Sequence, residues 1–486
     1  MGSALYPWLA VLAHVGVFVV IAFRLVMRKP AAGVALSWLL LVATVPLVGV
    51  AFYLLAGERR IGQRRANRIA RIRTDYAALA DRIVDESIAT IDWSKHAPAA
   101  ESMHRLGLKL TGAPTVSGSG GRLFADSAEI LEQIAEDIRN ARTSVVLESY
   151  IWSEGGHADT VAEALAEAAR RGVACRVLVD AIGGARWLGS SQARRLRDAG
   201  VRVLPALPPS LAQALFSRND LRLHRKVIVV DGRVAWTGSI NMADPRFFKQ
   251  NSRAAPWVDA MLRVEGGAVG ALLMTVVGDW ILESGEPLEE VLDSVGEIRV
   301  RAAGDSDVQV IPSGPAQSAD GLLQMLLTLI ASASEELVMT TPYFVPDESL
   351  MRAIRGAASR GVDVRLVVPE TIDSVLTHYA SRSYLDELMD VGVRVHQFRG
   401  GLLHTKSVTA DRSISMFGTV NLDMRSIWLN YEVSLFVYGE RFGRELRELQ
   451  QRYLGQSHEL DRAEWAGRPL REKLLENTLR LMSPLL

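Results

Sequence analysis

His224, Lys226, Asp231, Gly238, Ser239 and Asn241 recur 180 positions later as His404, Lys406, Asp411, Gly418, Thr419 and Asn421. They stand in HRKVIVVDGRVAWTGSIN at 224–241 and HTKSVTADRSISMFGTVN at 404–421, aligned without a gap. Six positions intact in duplicate leave little room for coincidence or a decayed repeat. Imidazole, ammonium, hydroxyl and carboxamide together suit attack on a phosphorus centre. One neutral imidazole attacks, and the other protonates the departing oxygen and later reverses that role. At an ordinary pKa of about 6.5 a histidine can serve either purpose. Lysines and Asn amides can stabilise the charge gathering on the phosphoryl oxygens without a metal. The chain has seven lysines among 55 basic residues, so a lysine in each cassette suggests a need for a compact point charge. Lysine is a poor metal ligand and no His or carboxylate stands at zinc spacing, so neither metal nor cofactor is expected.

These side chains need elements that aim them. In RKVIVVDGRVAWTGSIN the apolar alternation, the Asp-Gly pair and the next apolar run predict a strand, a tight turn and a second strand. His224 and Lys226 then share a face, as do Ser239 and Asn241, and as do Thr419 and Asn421, which makes these four candidate phosphate binders. Asp231 and Asp411 read in two ways, as members of the motif or as turn residues capping their own backbone.

Around the cassettes the chain alternates strand and helix. SVVLESYI (144–151), ADTVAEALAEAARR (158–171) and VACRVLVD (173–180) are answered by ELVMTTPYF, SLMRAIRGAASR and VDVRLVVPE. Tyr150 aligns with Tyr343, Arg171-Gly172-Val173 with Arg360-Gly361-Val362, and DAGVRV with DVGVRV. Such units predict an α/β fold, a parallel sheet with covering helices, made twice. The first copy carries an insertion in ALPPSLAQALFSRND, a lid, a membrane-facing loop or simply a packed one. SGSGG at 117–121 reads as punctuation closing a polar connector.

With 55 basic and 55 acidic residues the net charge is zero, which disfavours nucleic acid as a partner. The one cysteine, Cys175, in an apolar run, reads as an inert packed thiol. LYPWLAVLAHVGVFVVIAF (5–23) and AAGVALSWLLLVATVPLVGVAFYLLAG (31–57) lack acidic, Lys and Arg residues, and each is long enough to cross a bilayer. No charged stretch precedes the first and a second follows at once, which favours a retained hairpin over a signal peptide. Arg59, Arg60, Arg64, Arg65, Arg68, Arg71 and Arg73 outnumber the basic residues between the spans, so the body should face the cytoplasm. The same arginines could hold anionic headgroups or form a solvated face. The C-terminal RPLREKLLENTLRLMSPLL, with leucines at helical intervals, fits either a bilayer surface or the protein body.

The paired HxKxxxxD motifs resemble those of the phospholipase D superfamily. With the hairpin, HRKVIVVDGRVAWTGSINMADPRFFKQ and LLHTKSVTADRSISMFGTVNLDMRSIWLNYE, the chain is similar to bacterial cardiolipin synthases. The resemblance implies two phospholipase D-like α/β lobes behind a pair of transmembrane helices. The expected divisions are a hairpin (1–58), a basic segment and connector (59–115), lobe 1 (116–290) and lobe 2 with an amphipathic C-terminal segment (291–486). It also implies a phosphatidyl-histidine intermediate, glycerol leaving one phosphatidylglycerol and a second phosphatidylglycerol accepting the lipid. His224 would be the nucleophile and His404 the general acid and base. Similar enzymes place a later acidic residue on each imidazole, and Glu432 and Asp259 are the candidates, orienting the rings as in a catalytic triad. The implied setting is the bacterial inner membrane, as a multi-pass protein. Hydrolysis, or transfer to another alcohol, remains open within the same chemistry; a catalytically silent membrane scaffold is the reading from another class.

Overall fold

The Asp-Gly turn of the first cassette and its counterpart in the second each close an antiparallel hairpin, Val227–Val230 with Val234–Gly238 and Ser407–Ala410 with Ile414–Gly418. The computed structural model describes residues 5–30, 32–57, 65, 67–69, 90–209, 220–248, 256–296, 301–315, 320–481 and 483. It divides into two compact units, one of Met1–Arg64 with Pro209–Asp220, and a body of Arg65–Pro208 and Leu221–Leu486.

In the body, strands β1 (Thr115–Phe124), β2 (Ser144–Ser149), β3 (Ala174–Asp180), β4 (Arg202–Ala206), β5 (Val227–Val230), β6 (Val234–Gly238) and β7 (Met261–Glu265) form the first half of one sheet. Strands β8 (Ser306–Ser313), β9 (Glu336–Thr340), β10 (Asp363–Pro369), β11 (Arg394–Phe398), β12 (Ser407–Ala410), β13 (Ile414–Gly418) and β14 (Glu432–Tyr438) form the second, with β15 (Ser457–Glu459) at its edge. The order is β15-β11-β10-β9-β12-β13-β14-β8-β1-β7-β6-β5-β2-β3-β4, so the halves mirror each other about the β8-β1 seam. The duplication expected from the sequence is therefore one continuous sheet. Its strands are only partly parallel: β2, β3 and β4 run together, as do β9, β10 and β11, whereas the cassette hairpins and the strands toward the seam are antiparallel. A two-residue turn can join only antiparallel strands, which the short cassette connections already required.

SGSGG is not punctuation but lies within β1. A Cβ on Gly120 would stand 2.6 Å from the Ala303 carbonyl oxygen, so glycine here lets two backbones pass. The connector also does more than connect. Its helix Ala99–Thr111 buries Ala100 and Met103 among Ile311, Leu326 and Leu329 of lobe 2, and His96 meets Asp307 at 2.7 Å. The apolar helix Gly267–Ser284 is long enough for a membrane span but lies in the core between the lobes, with Leu272, Val276 and Trp280 fully buried.

In the N-terminal unit α1 (Leu5–Arg28) runs past its expected end. Through Val11–Arg28 it is long and apolar enough to cross a membrane. The second stretch, expected as one helix, is two: α2 (Ala32–Thr44) and α3 (Pro46–Ala56). Pro46 lacks an N–H and pushes Val45 out of the helical conformation, to φ −127° and ψ 80°, which breaks the helix. Trp38 meets Tyr53 edge-on at 5.6 Å, and Ile21, Leu25 and Val42 are buried beside them. Trp8, Leu12, Phe23, Leu40 and Leu47 are exposed, an arrangement that suits lipid.

Of the seven arginines, Arg65 and Arg68 belong to the described residues. Arg65 pairs with Glu283 at 2.7 Å and donates to the Tyr431 hydroxyl at 3.2 Å, so it is a packed residue of the body and not part of a solvated face. Arg68 donates to the Leu282 carbonyl. Most of the lobe 1 insertion lies outside the described residues. Cys175 is buried in β3, and burial pushes its thiol up to about 12, as expected of an inert group.

Candidate active site

Each cassette enters the site on a short parallel ribbon made with the other lobe. Leu402 and Leu403 pair with Trp257 and Val258, and the His404 N–H donates to the Val258 carbonyl at 2.8 Å. Leu223 bridges Tyr431, and the His224 N–H donates to the Tyr431 carbonyl at 2.9 Å. Asp259 follows one ribbon and Glu432 the other, so each carboxylate meets the imidazole of the opposite lobe. His224 Nδ1 lies 2.7 Å from Glu432 Oε1, and His404 Nδ1 lies 2.7 Å from Asp259 Oδ1. A carboxylate at Nδ1 fixes the proton there and leaves Nε2 to act on substrate.

All four groups are buried, and so are the lysines. Lys226 Nζ donates to the His224 carbonyl at 2.6 Å, and Lys406 Nζ makes the equivalent bond to His404. Burial pushes both imidazoles down to about 4, with Lys226 and Lys406 adding to the effect at the two rings and the carboxylates opposing it. Burial also lowers Lys226 to about 8, and lowers Lys406 well below the usual ammonium range, with Lys226 beside it. Glu432 and Asp259 resist burial because His224 and His404 hold them below the usual carboxylate range. His224 feels Lys406, and His404 feels Lys226, so the two cassettes share one electrostatic site.

The structure gives the other motif residues different work. The Ser239 hydroxyl donates to Asp259 Oδ1 at 2.7 Å, and Thr419 to Glu432 Oε2 at 2.6 Å. Expected as phosphate binders, they instead hold the carboxylates that hold the imidazoles. Asn241 accepts the Ile151 N–H at 3.2 Å through its oxygen, which leaves its amide nitrogen available to an anion. Asn421 bonds Asp423, whose carboxyl burial pushes up to about 6. Asp231 and Asp411 are not brought to the imidazoles. They stand at the far ends of β5 and β12, where Asp231 accepts the N–H groups of Arg142, Thr143 and Ser144, and Asp411 those of Ser334, Glu335 and Glu336. Both take a positive φ, and they tie each hairpin turn to the entry of the neighbouring strand.

Several residues escaped the motif. The Tyr150 ring meets His224 edge-on at 5.0 Å and lies 5.5 Å from Lys226 Nζ, while Trp257 packs on His404 at 4.5 Å. Asp180 Oδ2 accepts the Leu223 N–H at 2.9 Å, and Tyr343 donates to Asp373 at 2.7 Å. The Tyr150/Tyr343 echo was a signal for one pair; nothing in the spacing marks Trp257. Behind His224, Arg225 donates to the carbonyls of Glu432 and Ser313 and pairs with Asp279. No group of three or more His, Cys, Asp or Glu suited to a metal occurs among the described residues.

Two imidazoles, each anchored by a carboxylate across the dyad of a duplicated mixed sheet, define a phosphoryl-transfer site of the phospholipase D type. The comparisons carry this to a family. A family model described as "Cardiolipin synthase, PLD-like domain" matches residues 134–255 and 326–454, and one described as "Phospholipase_D-nuclease N-terminal" matches 16–58. Over 480 residues the chain is 39% identical to Cardiolipin synthase A of Klebsiella pneumoniae and 40% identical to that of Erwinia tasmaniensis, covering 99% of this chain and 98% of each relative. The crystal structure of phosphatidylserine synthase from Haemophilus influenzae superposes with a TM-score of 0.60 over 79% of this chain and 100% of that one, at 16% identity, a likeness of fold. The chain belongs to the cardiolipin synthase family of the phospholipase D superfamily and is an enzyme of that family.

Proposed function

We propose that the enzyme joins two phosphatidylglycerol molecules into cardiolipin and glycerol through a phosphatidyl-histidine at His224. The neutral Nε2 of His224 attacks phosphorus, and the bond to the glycerol headgroup oxygen breaks. His404, protonated at Nε2, gives that proton to the leaving alkoxide. The headgroup hydroxyl of a second phosphatidylglycerol then returns a proton to His404 as its oxygen displaces His224. Atoms balance, and the phosphodiester count is unchanged. Lys226, Lys406 and the Asn241 amide face the charge that builds on the phosphoryl oxygens.

Burial leaves both rings neutral at pH 7, which suits His224 but not an acid. A bound phosphodiester brings the negative charge that raises an imidazole toward protonation, so the substrate itself arms His404. The observation that carries this reading is the exchange of carboxylates between the lobes, which makes neither half a site alone. Membrane association follows from the family and the apolar α1. A multi-pass hairpin with the body on the cytoplasmic side of the inner membrane is our reading of the arginine-rich stretch after the second apolar segment.

The test is purified enzyme in vesicles of labelled phosphatidylglycerol. Cardiolipin and glycerol in equal amounts are the expected products. Phosphatidic acid as the main product would mean that water is the acceptor.

A further inference from the structure

The C-terminal helix Leu470–Arg480 is packed the wrong way round for a helix in water. Its acidic Glu476 is buried, and the Glu476 carboxylate accepts from Arg382 at 2.7 Å and from Arg468 at 3.3 Å. Arg480 lies 4.2 Å over the Tyr384 ring and pairs with Glu387 at 2.5 Å. Leu479 packs against the core, but Leu470 is 81% exposed and Leu474 66%, and Leu481, just past the helix end, 82%, residues that share one stripe at helical spacing. Soluble helices do the reverse, because burying an ion pair costs more than burying leucine.

The stripe continues toward the catalytic mouth. Arg382, which Glu476 holds, ends the helix Val375–Arg382, whose first residues Val375 and Leu376 are 70% and 44% exposed. That helix starts two residues after Asp373, the acceptor of the Tyr343 hydroxyl, and Tyr343 lies within electrostatic reach of Tyr150 on His224. On lobe 1, Ile182 is 44% exposed, in the loop after Asp180, whose carboxylate holds the residue before His224. Exposed apolar side chains thus lie, in both lobes, on segments next to residues that bond to the site.

We infer that these side chains, with the leucine stripe as their main part, lie in the interfacial layer of the bilayer and seat the mouth on the lipid surface. The inference rests on the reading that the substrate is a membrane lipid. Charge favours this occupant: beside Leu470 the exposed Arg471 has no partner among the described residues and is placed to meet lipid phosphate. A protein seated on the same surface would cover the mouth that a two-chain lipid must enter.

Because Cys175 is buried and its thiol is unreactive, an introduced cysteine can be labelled alone. The full chain carrying Leu474→Cys, and separately Glu163→Cys on the exposed side of the helix His157–Arg170, is labelled with an environment-sensitive fluorophore. Both are reconstituted in vesicles of phosphatidylglycerol and phosphatidylethanolamine. The label at 474 should shift to the blue and be quenched by spin-labelled acyl chains, while that at 163 is quenched by aqueous iodide. Iodide access at 474 overturns the inference. So does shielding at 474 that yields cross-links between two copies without quenching from the acyl chains. The double variant Leu470→Glu/Leu474→Glu should raise the apparent KM for vesicle lipid roughly tenfold while leaving turnover of a dispersed short-chain substrate unchanged; an equal loss on both substrates also overturns it. The fluorescence needs no turnover, so a failed docking result and a failed cardiolipin assay are separable.

Discussion

Glu432 belongs to lobe 2, yet its carboxylate grips the imidazole of lobe 1, with its Oε1 2.7 Å and its Oε2 2.9 Å from His224 Nδ1. Thr419, from the same lobe as Glu432, donates to that carboxylate and so sets its angle. Asp259 and Ser239 repeat the device in the other direction. Neither lobe can orient its own imidazole, and duplication without docking would leave both rings without their carboxylates.

Removing the charge but keeping the shape should therefore be costly. Glu432→Gln and Asp259→Asn would let the imidazoles take the wrong tautomer or rotate. We expect kcat to fall by about 10² to 10⁴ with KM little changed and the thermal transition retained. Thr419→Val and Ser239→Ala should give smaller losses of the same kind, since each removes one hydrogen bond to the orienting carboxylate. Steady-state kinetics on mixed micelles decides the matter, and a rise in KM at constant kcat would assign these residues to lipid binding.

Much of this site could be read from the residues alone, and the reason is the repeat. A constant offset exposed His224, Lys226, His404 and Lys406, whereas Asp259 and Glu432 came as candidates only through the resemblance to the phospholipase D superfamily. Which carboxylate serves which ring was not legible, because that follows from ribbons formed between chain segments some 150 to 200 residues apart. Spacing also misled. Ser239 and Asn241 share a face, as alternation requires, but a carboxylate from the neighbouring strand end reaches the hydroxyl first. Glu148 stood unremarked inside SVVLESYI, where the strand is apolar enough to hide a carboxyl group. Pro46 announced the broken helix, but the hydropathy of 31–57 runs straight across it.

Acid should weaken the fold through the two imidazoles. Folding lowers each from 6.5 to about 4, so between those values the unfolded chain binds more protons than the folded one. Stability then falls as pH drops from about 6.5 toward 4, by roughly 3 kcal/mol for each fully buried ring. Glu432 and Asp259, held low in the folded state, add to the loss at the bottom of the window. Apparent melting temperatures at pH 7.5, 6 and 5 should decline, and His224→Gln/His404→Gln should decline less. Parallel curves for the two proteins would place the acid sensitivity elsewhere.

The substrate anion should bring a proton with it. If a phosphodiester raises the neutral rings toward protonation, binding an inert oxyanion such as tungstate at pH 6.5 takes up a fraction of a proton. Calorimetry in two buffers of different ionisation enthalpy reads this directly. We expect proton uptake in the wild-type enzyme and its loss in His404→Gln. Equal heats in both buffers would leave His404 without the means to act as an acid.

Asp231 offers a separation of stability from chemistry. Its carboxylate accepts three backbone N–H groups and the Thr143 hydroxyl, which keeps it below the usual carboxylate range against the effect of burial. Asp231→Ala strands those donors and should cost about 1 to 3 kcal/mol. The protein that remains folded should keep a kcat within a few-fold of wild type. A loss beyond a hundredfold at full folding would return Asp231 to the reaction.

Behind His224 the side chains of Glu148, Arg225 and Asp279 are nested out of water. Burial, with Asp279 beside it, pushes Glu148 well above the usual carboxylate range and so favours its neutral form, while Asp279 pairs with Arg225. The guanidinium in turn bonds the Glu432 carbonyl, so this buried group holds the backbone that carries the His224 anchor. Glu148→Gln should be nearly silent, because a neutral amide of the same size replaces a group whose burial favours the neutral acid. Asp279→Asn leaves a buried Arg225 without its counter-charge and should cost about 3 to 5 kcal/mol. If the fold survives, kcat should fall through loss of the Glu432 position while Glu148→Gln keeps both stability and rate. Comparable damage from the two substitutions would mean that Glu148 is ionised and that the charge balance behind the catalytic histidine is the opposite of the one drawn here.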